Sequence, residues 1–321
     1  MTKGLRKNIA DAAKAIRRAA KVSIVCHVNP DGDTIGCQLA LGHALILMGK
    51  KVMLLSQDGV PTRFQFLPGS ELILSSFSEP ADVAIAVDCG SDTRLGNFKN
   101  LFFKSKVTIQ VDHHDFGEPF GKIQVLEEEA SAVGEIVYEL IRALNVEITP
   151  AIATCLLTSI IVDTGSFRFS NIRPKTFELC SRLIKKGVEL QHLIEQSYWK
   201  QSRSTARLSG YCLMNTEFSE DGKIAWSTVY QKDFNRFNAK LSDVDSVADE
   251  LRFIEGVKIA AFFRQTPRKT FRVSLRSSYG INVAHVAALF GGGGHHNAAG
   301  CSIRSTETEK NRLLSELGNL T

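Results

Sequence analysis

The feature that most constrains the fold is a repeated pattern in the first half of the chain, where short apolar runs alternate with segments of helical periodicity. Four runs have the length and β-branched content of buried strands, at 22–26, 52–55, 83–87 and 107–111. Helical periodicity marks 34–48, 93–103, 132–144, 150–161 and 174–186. This alternation predicts an α/β domain around a parallel sheet, and such sheets bind ligands outside the carboxyl ends of their strands.

The second half has a different pattern. A hairpin over 213–219 and 224–230 is followed by a helix at 244–253, strands at 257–264 and 270–276, and a helix at 283–290. This order predicts a smaller α+β domain with a glycine loop near its end. Two domains are also the default for 321 residues. We expect a catalytic domain at 1–190, a helical linker at 191–209 and a second domain at 210–321.

Composition narrows the class of protein without naming a function. The net charge of +5 suits anionic partners, but the charge is spread along the chain. The seven cysteines are odd in number and never form a CxxC pair, which indicates reduced intracellular thiols. No run approaches the ~20 apolar residues of a membrane span, and the charged N-terminus does not resemble a signal peptide. These features predict a soluble, cytoplasmic protein that does not bind membranes.

Acids and histidines lie where the predicted strands end. They are His27, Asp31 and Asp33 after the first strand, Asp88 after the third, Asp112, His113 and His114 after the fourth, and Asp163 after the helix at 150–161. Each residue alone has an ordinary explanation as a turn or helix cap, and we expect Asp33 or Thr34 to cap the helix at 34–48. Together they bring several carboxylates to one sheet edge, where like charges oppose folding unless a cation compensates them.

The types of ligand indicate which cation. Oxygen and imidazole ligands without thiolate favour Mn²⁺ or Mg²⁺, with Zn²⁺ or Co²⁺ as alternatives, and the histidines favour Mn²⁺ among them. Two such ions about 3.5–4 Å apart are typical of enzymes that hydrolyse phosphate esters.

A second cluster of residues indicates anion binding. Consecutive glycines leave backbone N–H groups open to a phosphate, and His295 follows them, although a flexible joint is the alternative explanation. Arg276 with Ser277, at a predicted strand end, and Arg168, shortly after Asp163, could grip phosphate, or could be solvated surface arginines. The glycines are Gly291, Gly292, Gly293 and Gly294.

These motifs together resemble the DHH phosphoesterase family, in the subfamily with a C-terminal DHH-associated domain. The matching segments are His27-Val28-Asn29-Pro30-Asp31-Gly32-Asp33, Asp88-Cys89-Gly90-Ser91, Asp112-His113-His114, Asp163-Thr164-Gly165-Ser166-Phe167-Arg168, and Gly291 to His295 with Ala298, Ala299 and Gly300. One departure follows Asp112-His113-His114, where many relatives have a polar stretch ending in Asn and this chain has Asp115-Phe116-Gly117. It affects the expected shape of the substrate entrance.

The resemblance implies a role for each site residue. One metal would be held by His27, Asp31 and Asp88, and the other by Asp33, Asp88, His113 and Asp163, with Asp88 as the bridge. His114 would contact the scissile phosphate and Asp112 would orient a histidine, while water activated by the metals attacks phosphorus in line. The glycine loop, His295 and Arg276 would hold the nucleotide across an active-site cleft between the domains.

Within the family, the chain looks most like the stand-alone nano-RNases. That resemblance implies hydrolysis of RNAs a few nucleotides long to 5′-mononucleotides, together with dephosphorylation of 3′-phosphoadenosine 5′-phosphate. Hydrolysis of cyclic di-AMP or of its linear product pApA is the enzymatic alternative, and a nucleotide-binding module without activity is the non-enzymatic one. Loss of a metal ligand would mark such a module, and here every ligand position is filled. The resemblance is also compatible with a homodimer.

Overall fold

The computed structural model describes residues 2–114, 117–244 and 246–321, which divide into two compact units, Met1–Lys200 and Gln201–Thr321. Asp115 and Phe116, in the segment that departs from the family pattern, lie outside the described residues. The elements of the first unit are α1 (Lys3–Arg18), β1 (Lys21–Val25), α2 (Gly32–Leu47), β2 (Lys51–Leu55), β3 (Ile73–Leu74), β4 (Val83–Val87), α3 (Lys99–Lys104), β5 (Val107–Asp112), β6 (Ile123–Leu126), α4 (Val133–Ala143), α5 (Pro150–Asp163), α6 (Pro174–Ile184) and α7 (Leu190–Ile194).

The first unit is built on a six-stranded parallel sheet with the order β3-β2-β1-β4-β5-β6. Its central strands β1 and β4 are apolar and almost wholly buried, because helices cover both faces of the sheet. This confirms the predicted α/β fold. The sequence did not predict β3 and β6, which are two and four residues long and lack a sustained apolar run.

Two helices on one face of this sheet bring the ligand motifs together. Helices α2 and α5 are apolar almost all round and largely buried, which is typical of helices packed inside a layer. A Cβ at Gly36 would lie 2.5 Å from the carbonyl oxygen of Cys155, so only glycine permits this approach of the two backbones. The close packing places Asp33, at the start of α2, against Ser159 of α5.

The second unit has its own mixed sheet, with the order β11-β12-β10-β9-β8-β7. Strands β8 and β9 are parallel and the other neighbours are antiparallel. This agrees with the predicted α+β class. The elements are α8 (Arg203–Met214), β7 (Glu217–Phe218), β8 (Ile224–Val229), α9 (Gln231–Phe237), α10 (Val247–Arg252), β9 (Ile259–Gln265), β10 (Thr270–Ser277), α11 (Val283–Leu289), β11 (Gly293–His295), β12 (Ala298–Arg304) and α12 (Glu307–Gly318).

Several predicted elements of the second unit are wrong in detail. The first strand of the hairpin was expected to begin at Leu213, but α8 continues to Met214, because Leu208 and Cys212 face the core one helical turn apart. Helices α9 and α12 were not predicted from the sequence. The second half of the expected glycine loop is the short strand β11, paired with β12.

Among the described residues, no helix combines the length and the apolar character that a membrane crossing requires.

Candidate metal centre

The loops at the carboxyl edge of the parallel sheet carry the predicted ligands. His27 follows β1, Asp88 follows β4, and Asp112 ends β5 directly before His113 and His114. Asp88 has a left-handed backbone conformation with φ of 55°, which is strained for a residue other than glycine. Such strain at a strand end is typical of a functional site, because the surrounding structure must hold it in place.

The start of α2 is capped by Asp31 and not by Asp33 or Thr34, so the predicted cap is wrong. Oδ1 of Asp31 accepts hydrogen bonds from the backbone nitrogens of Asp33 at 3.0 Å and of Thr34 at 3.1 Å. Asp31 is the last residue before the helix and can therefore reach both free N–H groups, whereas Asp33 is already inside the first turn.

A first group of ligands consists of His27, Asp31 and Asp88, whose ligand atoms lie within 4.8 Å of one another. Nε2 of His27 lies 3.4 Å from Oδ2 of Asp88. The hydroxyl of Thr34 donates a hydrogen bond of 2.5 Å to the same Asp88 oxygen. This group offers two carboxylates and one imidazole to a single cation.

A second group consists of Asp33, His113 and Asp163, again within 4.8 Å. Asp33 is fully buried, and its oxygens accept hydrogen bonds from Oγ of Ser159 at 2.6 Å and from the backbone nitrogen of Val133 at 2.9 Å. Nδ1 of His113 lies 2.9 Å from the carbonyl oxygen of Ala130. The other nitrogen of His113, Nε2, lies 3.5 Å from Asp163 and 4.0 Å from Asp33.

A third group joins Asp88 to Asp112 and His114. Nδ1 of His114 lies 2.7 Å from Oδ1 of Asp112 and 3.7 Å from Oδ1 of Asp88. The two oxygens of Asp88 therefore face different histidines, Oδ2 towards His27 and Oδ1 towards His114. A carboxylate in this position can contact two cations at once.

The pKa values of the buried carboxyl and imidazole groups are strongly shifted by burial and by their neighbours. Burial, followed by the charges of Asp88 and Asp163, raises the pKa of Asp33 well above its usual value. Burial likewise raises the pKa of Asp163 to about 7, although His113 opposes this. Burial alone would lower the pKa of His113, but Asp163, Asp33 and Asp88 raise it to about 10. Without a cation, burial and the neighbouring carboxylates favour the protonated forms of Asp33 and Asp163.

The donor set fits divalent cations. Its ligand atoms are carboxylate oxygens and imidazole nitrogens, which suit Mn²⁺, Mg²⁺, Zn²⁺ and Co²⁺. One thiol contacts a ligand residue: that of Cys37 donates to Oδ1 of Asp33 at 3.1 Å. Burial and the charge of Asp33 raise the pKa of this thiol well above its usual value, so it stays protonated and is not a metal ligand.

The predicted phosphate-binding residue of the first unit follows Asp163 in an unusual turn. Gly165, Ser166 and Phe167 all have left-handed φ values, of 55°, 58° and 63°. Nε of Arg168 donates a hydrogen bond of 2.5 Å to the carbonyl oxygen of Gly165. Its guanidinium lies 5.9 Å from the ring centroid of Tyr198.

The predicted phosphate-binding residues of the second unit lie on β10 and around β11. Nε of Arg276 donates to Asp249 at 2.6 Å, so this guanidinium is already paired. Oγ of Ser277 donates to the carbonyl oxygen of Ile281 at 2.6 Å. Gly291 and Gly292 precede β11, and Gly293, Gly294 and His295 form it, paired with Ala298, Ala299 and Gly300 of β12.

Three residues touch the metal centre without having been assigned a part in it from the sequence. Ser159 holds Asp33, Thr34 holds Asp88, and Nη2 of Arg94 lies 2.9 Å from Nδ1 of His27. A polar residue inside the apolar helix α5 was the available signal for Ser159. Arg94 had no signal, because only the fold brings its segment beside the loop after β1.

Comparisons with known proteins agree with this geometry. Residues 21–160 match the DHH family, N-terminal domain, and residues 221–320 match the DHHA1 domain. The bifunctional oligoribonuclease and PAP phosphatase NrnA of Thermus thermophilus is 30% identical over 309 residues, covering 94% of this chain and 89% of the relative. The protein of the same name from Bacillus subtilis is 27% identical over 298 residues, covering 92% of each chain.

A solved structure is also similar along nearly the whole chain. The crystal structure of an exopolyphosphatase-related protein from Bacteroides fragilis matches with a TM-score of 0.90 and 28% identity, covering 97% of this chain and 95% of that one. The similarity to this structure and to the Thermus thermophilus relative extends over both units of the chain. The protein belongs to the DHH phosphoesterase family and combines a DHH domain with a C-terminal DHHA1 domain.

Proposed function

We propose that this protein hydrolyses oligoribonucleotides of about two to five residues to 5′-mononucleotides, and that it also removes the 3′-phosphate of 3′-phosphoadenosine 5′-phosphate. The observation that carries the proposal is the presence of two ligand groups, His27 with Asp31 and Asp88 and Asp33 with His113 and Asp163, on a chain similar over nearly its full length to proteins named for these two activities. We further propose two bound divalent ions, with Mn²⁺ favoured by the histidine ligands.

Each residue of the centre then has a defined part. Asp88 would contribute to both ion sites, His27 and Asp31 to one, and Asp33, His113 and Asp163 to the other. When bound, such a pair of ions supplies Lewis-acid chemistry that activates water and stabilises the leaving oxygen. His114 would contact the scissile phosphate, with its ring fixed by the 2.7 Å hydrogen bond to Asp112.

The substrate-binding assignments are part of the proposal. Arg168, Arg276, Ser277 and His295, with the glycines Gly291, Gly292, Gly293 and Gly294, would bind the nucleotide or its second phosphate. Because Asp249 pairs with Arg276, the guanidinium is held in one orientation before substrate arrives. The division into a catalytic domain at 1–190, a linker at 191–209 and a substrate-binding domain at 210–321 also stays a prediction, as do homodimerisation and a cytoplasmic location.

The same centre could hydrolyse cyclic di-AMP or linear pApA, since all these substrates present a phosphate ester to the ions. No contact among the described residues favours a cyclic substrate. The nucleotide-binding module without activity has no support either, because every ligand position carries a side chain of the required type.

The test is a product time course on a 5′-labelled RNA trimer with Mn²⁺, run beside phosphate release from 3′-phosphoadenosine 5′-phosphate. Asp88→Asn protein is the matched control for contaminating nucleases. Rapid shortening of the trimer to mononucleotides supports the proposal. An intact trimer together with consumed pApA or cyclic di-AMP would move the substrate to small signalling nucleotides, and no turnover of any of them would contradict an active enzyme.

A further inference from the structure

The proposed function assigns no role to Arg94, a cationic residue whose side chain contacts His27 of the metal centre. Its backbone is tied to the loop after β1, since the carbonyl oxygen of Arg94 accepts a hydrogen bond of 2.8 Å from the nitrogen of Val28. Its own nitrogen donates to the carbonyl oxygen of Ser91 at 3.1 Å. The fold therefore fixes this half-buried residue beside His27.

The contacts around His27 are mutually exclusive. Nδ1 of His27 lies 2.9 Å from Nη2 of Arg94 and 2.8 Å from the carbonyl oxygen of Val28. A neutral imidazole has one N–H group, so Nδ1 either accepts from Arg94 or donates to Val28, but not both. Arg94 can therefore donate a hydrogen bond to His27 only when Nδ1 of His27 carries no proton.

A metal ion at His27 would decide between the two contacts. Nε2 of His27 faces Asp88 and is the nitrogen placed to bind the ion. A histidine that binds metal through one nitrogen keeps its proton on the other and commonly donates it to a backbone carbonyl, which here is that of Val28. Nδ1 can then no longer accept a hydrogen bond from Arg94. Among the described residues, His27 is the partner of this guanidinium, and no carboxylate forms an ion pair with it.

We propose that Arg94 binds a phosphate oxygen of the substrate, and that metal binding at His27 releases its guanidinium for this purpose. The inference rests on the proposed phosphoesterase function and adds a substrate-binding residue to it. A guanidinium matches phosphate geometry and forms charge-assisted hydrogen bonds with it. In the metal-free protein the same group lies 2.9 Å from Nδ1 of His27.

Calorimetric titration of Arg94→Met tests this, first with Mn²⁺ on metal-free protein and then with inorganic phosphate on the Mn²⁺-loaded protein. We expect phosphate binding to weaken by at least about 10-fold, since hydrogen bonds to charged groups contribute on this order. Affinity for Mn²⁺ should stay equal or rise. Arg94 favours the tautomer of His27 in which Nδ1 lacks a proton, whereas an ion bound at Nε2 requires the proton on Nδ1. Lys99→Met is the matched control, since it removes a nearby cation that pairs with the partly exposed Asp92 and not with His27.

Arg94→Gln separates the two roles a second time, and serves also if Arg94→Met fails to fold. Glutamine can still donate to Nδ1 of His27 but carries no charge, so we expect the same loss of phosphate binding with unchanged Mn²⁺ affinity. If either variant loses Mn²⁺ affinity while its loaded form binds phosphate normally, Arg94 only positions His27 and the inference is overturned. Inorganic phosphate makes the result independent of the RNA substrate. The wild type could leave the RNA trimer intact while Arg94→Met still weakens phosphate binding. That result would support the role of Arg94 and reject the proposed RNA substrate.

Discussion

Oδ1 of Asp112 lies 2.7 Å from Nδ1 of His114, and both side chains are almost completely buried. The hydrogen bond raises the pKa of His114, against burial, which alone would lower it. It also fixes the orientation of the His114 ring, with Nδ1 directed at Asp112. The pair resembles the carboxylate–histidine arrangement that orients imidazoles in many hydrolytic sites.

Asp112→Asn should therefore lower kcat by about 10- to 100-fold, because an amide no longer holds the His114 ring in a single tautomer and orientation. Bound metal should be unchanged, since Asp112 is not one of the six predicted ligands. Steady-state kinetics on the RNA trimer and metal analysis of the purified protein check this. Glu79→Gln, which changes an exposed carboxylate at the opposite end of the sheet, is the control. A loss of metal in Asp112→Asn would place Asp112 among the ligands.

Asp88→Asn should lower turnover by at least about 10³-fold and reduce bound Mn²⁺ from two ions per chain towards one or none, because Asp88 belongs to the first ligand group and is the proposed bridge to the second. Asp92→Asn is the control, as this residue lies four positions away and pairs with Lys99 on the surface. Metal analysis and trimer hydrolysis are the measurements. Normal turnover in Asp88→Asn would contradict the assignment of Asp88 as a shared ligand.

Stability should depend on metal and pH together. The pKa of Asp163 is raised to about 7 and that of His113 to about 10, so the metal-free folded protein holds protons that the unfolded chain releases. Its stability therefore falls as pH rises, from about 4 to 7 through Asp163 and above about 6.5 through His113. Bound cations remove this loss, because they replace the protons.

We accordingly expect the increase in Tm on adding Mn²⁺ to be smallest at pH 5 and to grow towards pH 8. Thermal unfolding in EDTA and in Mn²⁺, at each pH, measures it. In the double variant Asp33→Asn with Asp163→Asn, the second ligand group no longer has carboxylates to titrate. The increase in Tm on adding Mn²⁺ should therefore depend little on pH. An equal Tm increase at every pH would show that the carboxylates do not carry the predicted protons.

The glycines of the second unit should differ in their tolerance of a side chain. A Cβ at Gly292 would lie 2.1 Å from the carbonyl oxygen of Gly300, whereas a Cβ at Gly293 meets no atom within 4 Å. Gly292→Ala should therefore destabilise the protein by about 1–3 kcal/mol through overpacking. Gly293→Ala should keep the free energy of unfolding and change mainly nucleotide affinity, if this segment binds phosphate. Urea unfolding and AMP titration separate the two, and equal destabilisation would contradict the open space at Gly293.

The sequence determined the class of the fold and the identity of the candidate ligands. Alternation of apolar runs with helical periodicity is a local property, and it correctly placed β1, β2, β4, β5 and α2. The helix predicted at 93–103 is α-helical only from Lys99, because the chain is kinked at Gly96. Ligand-type residues at successive strand ends indicated a metal centre, because parallel strands end at one edge. The family resemblance, carried by five ordered motifs, is confirmed by the matching DHH and DHHA1 domains.

Only the tertiary structure decided which atoms meet. The contact of Ser159 with Asp33 spans 126 positions, and that of Arg94 with His27 spans 67, so no local pattern could reveal either. The short strands β3 and β6 form because a neighbouring strand offers them hydrogen bonds, not because their sequences favour strands. Asp31 caps α2, while Asp33 lies inside the first turn and accepts hydrogen bonds from Ser159 of α5 and from the backbone of Val133, contacts that only the packing of distant segments provides. Local propensity fixes which elements can form, and long-range packing fixes which side chains share a site.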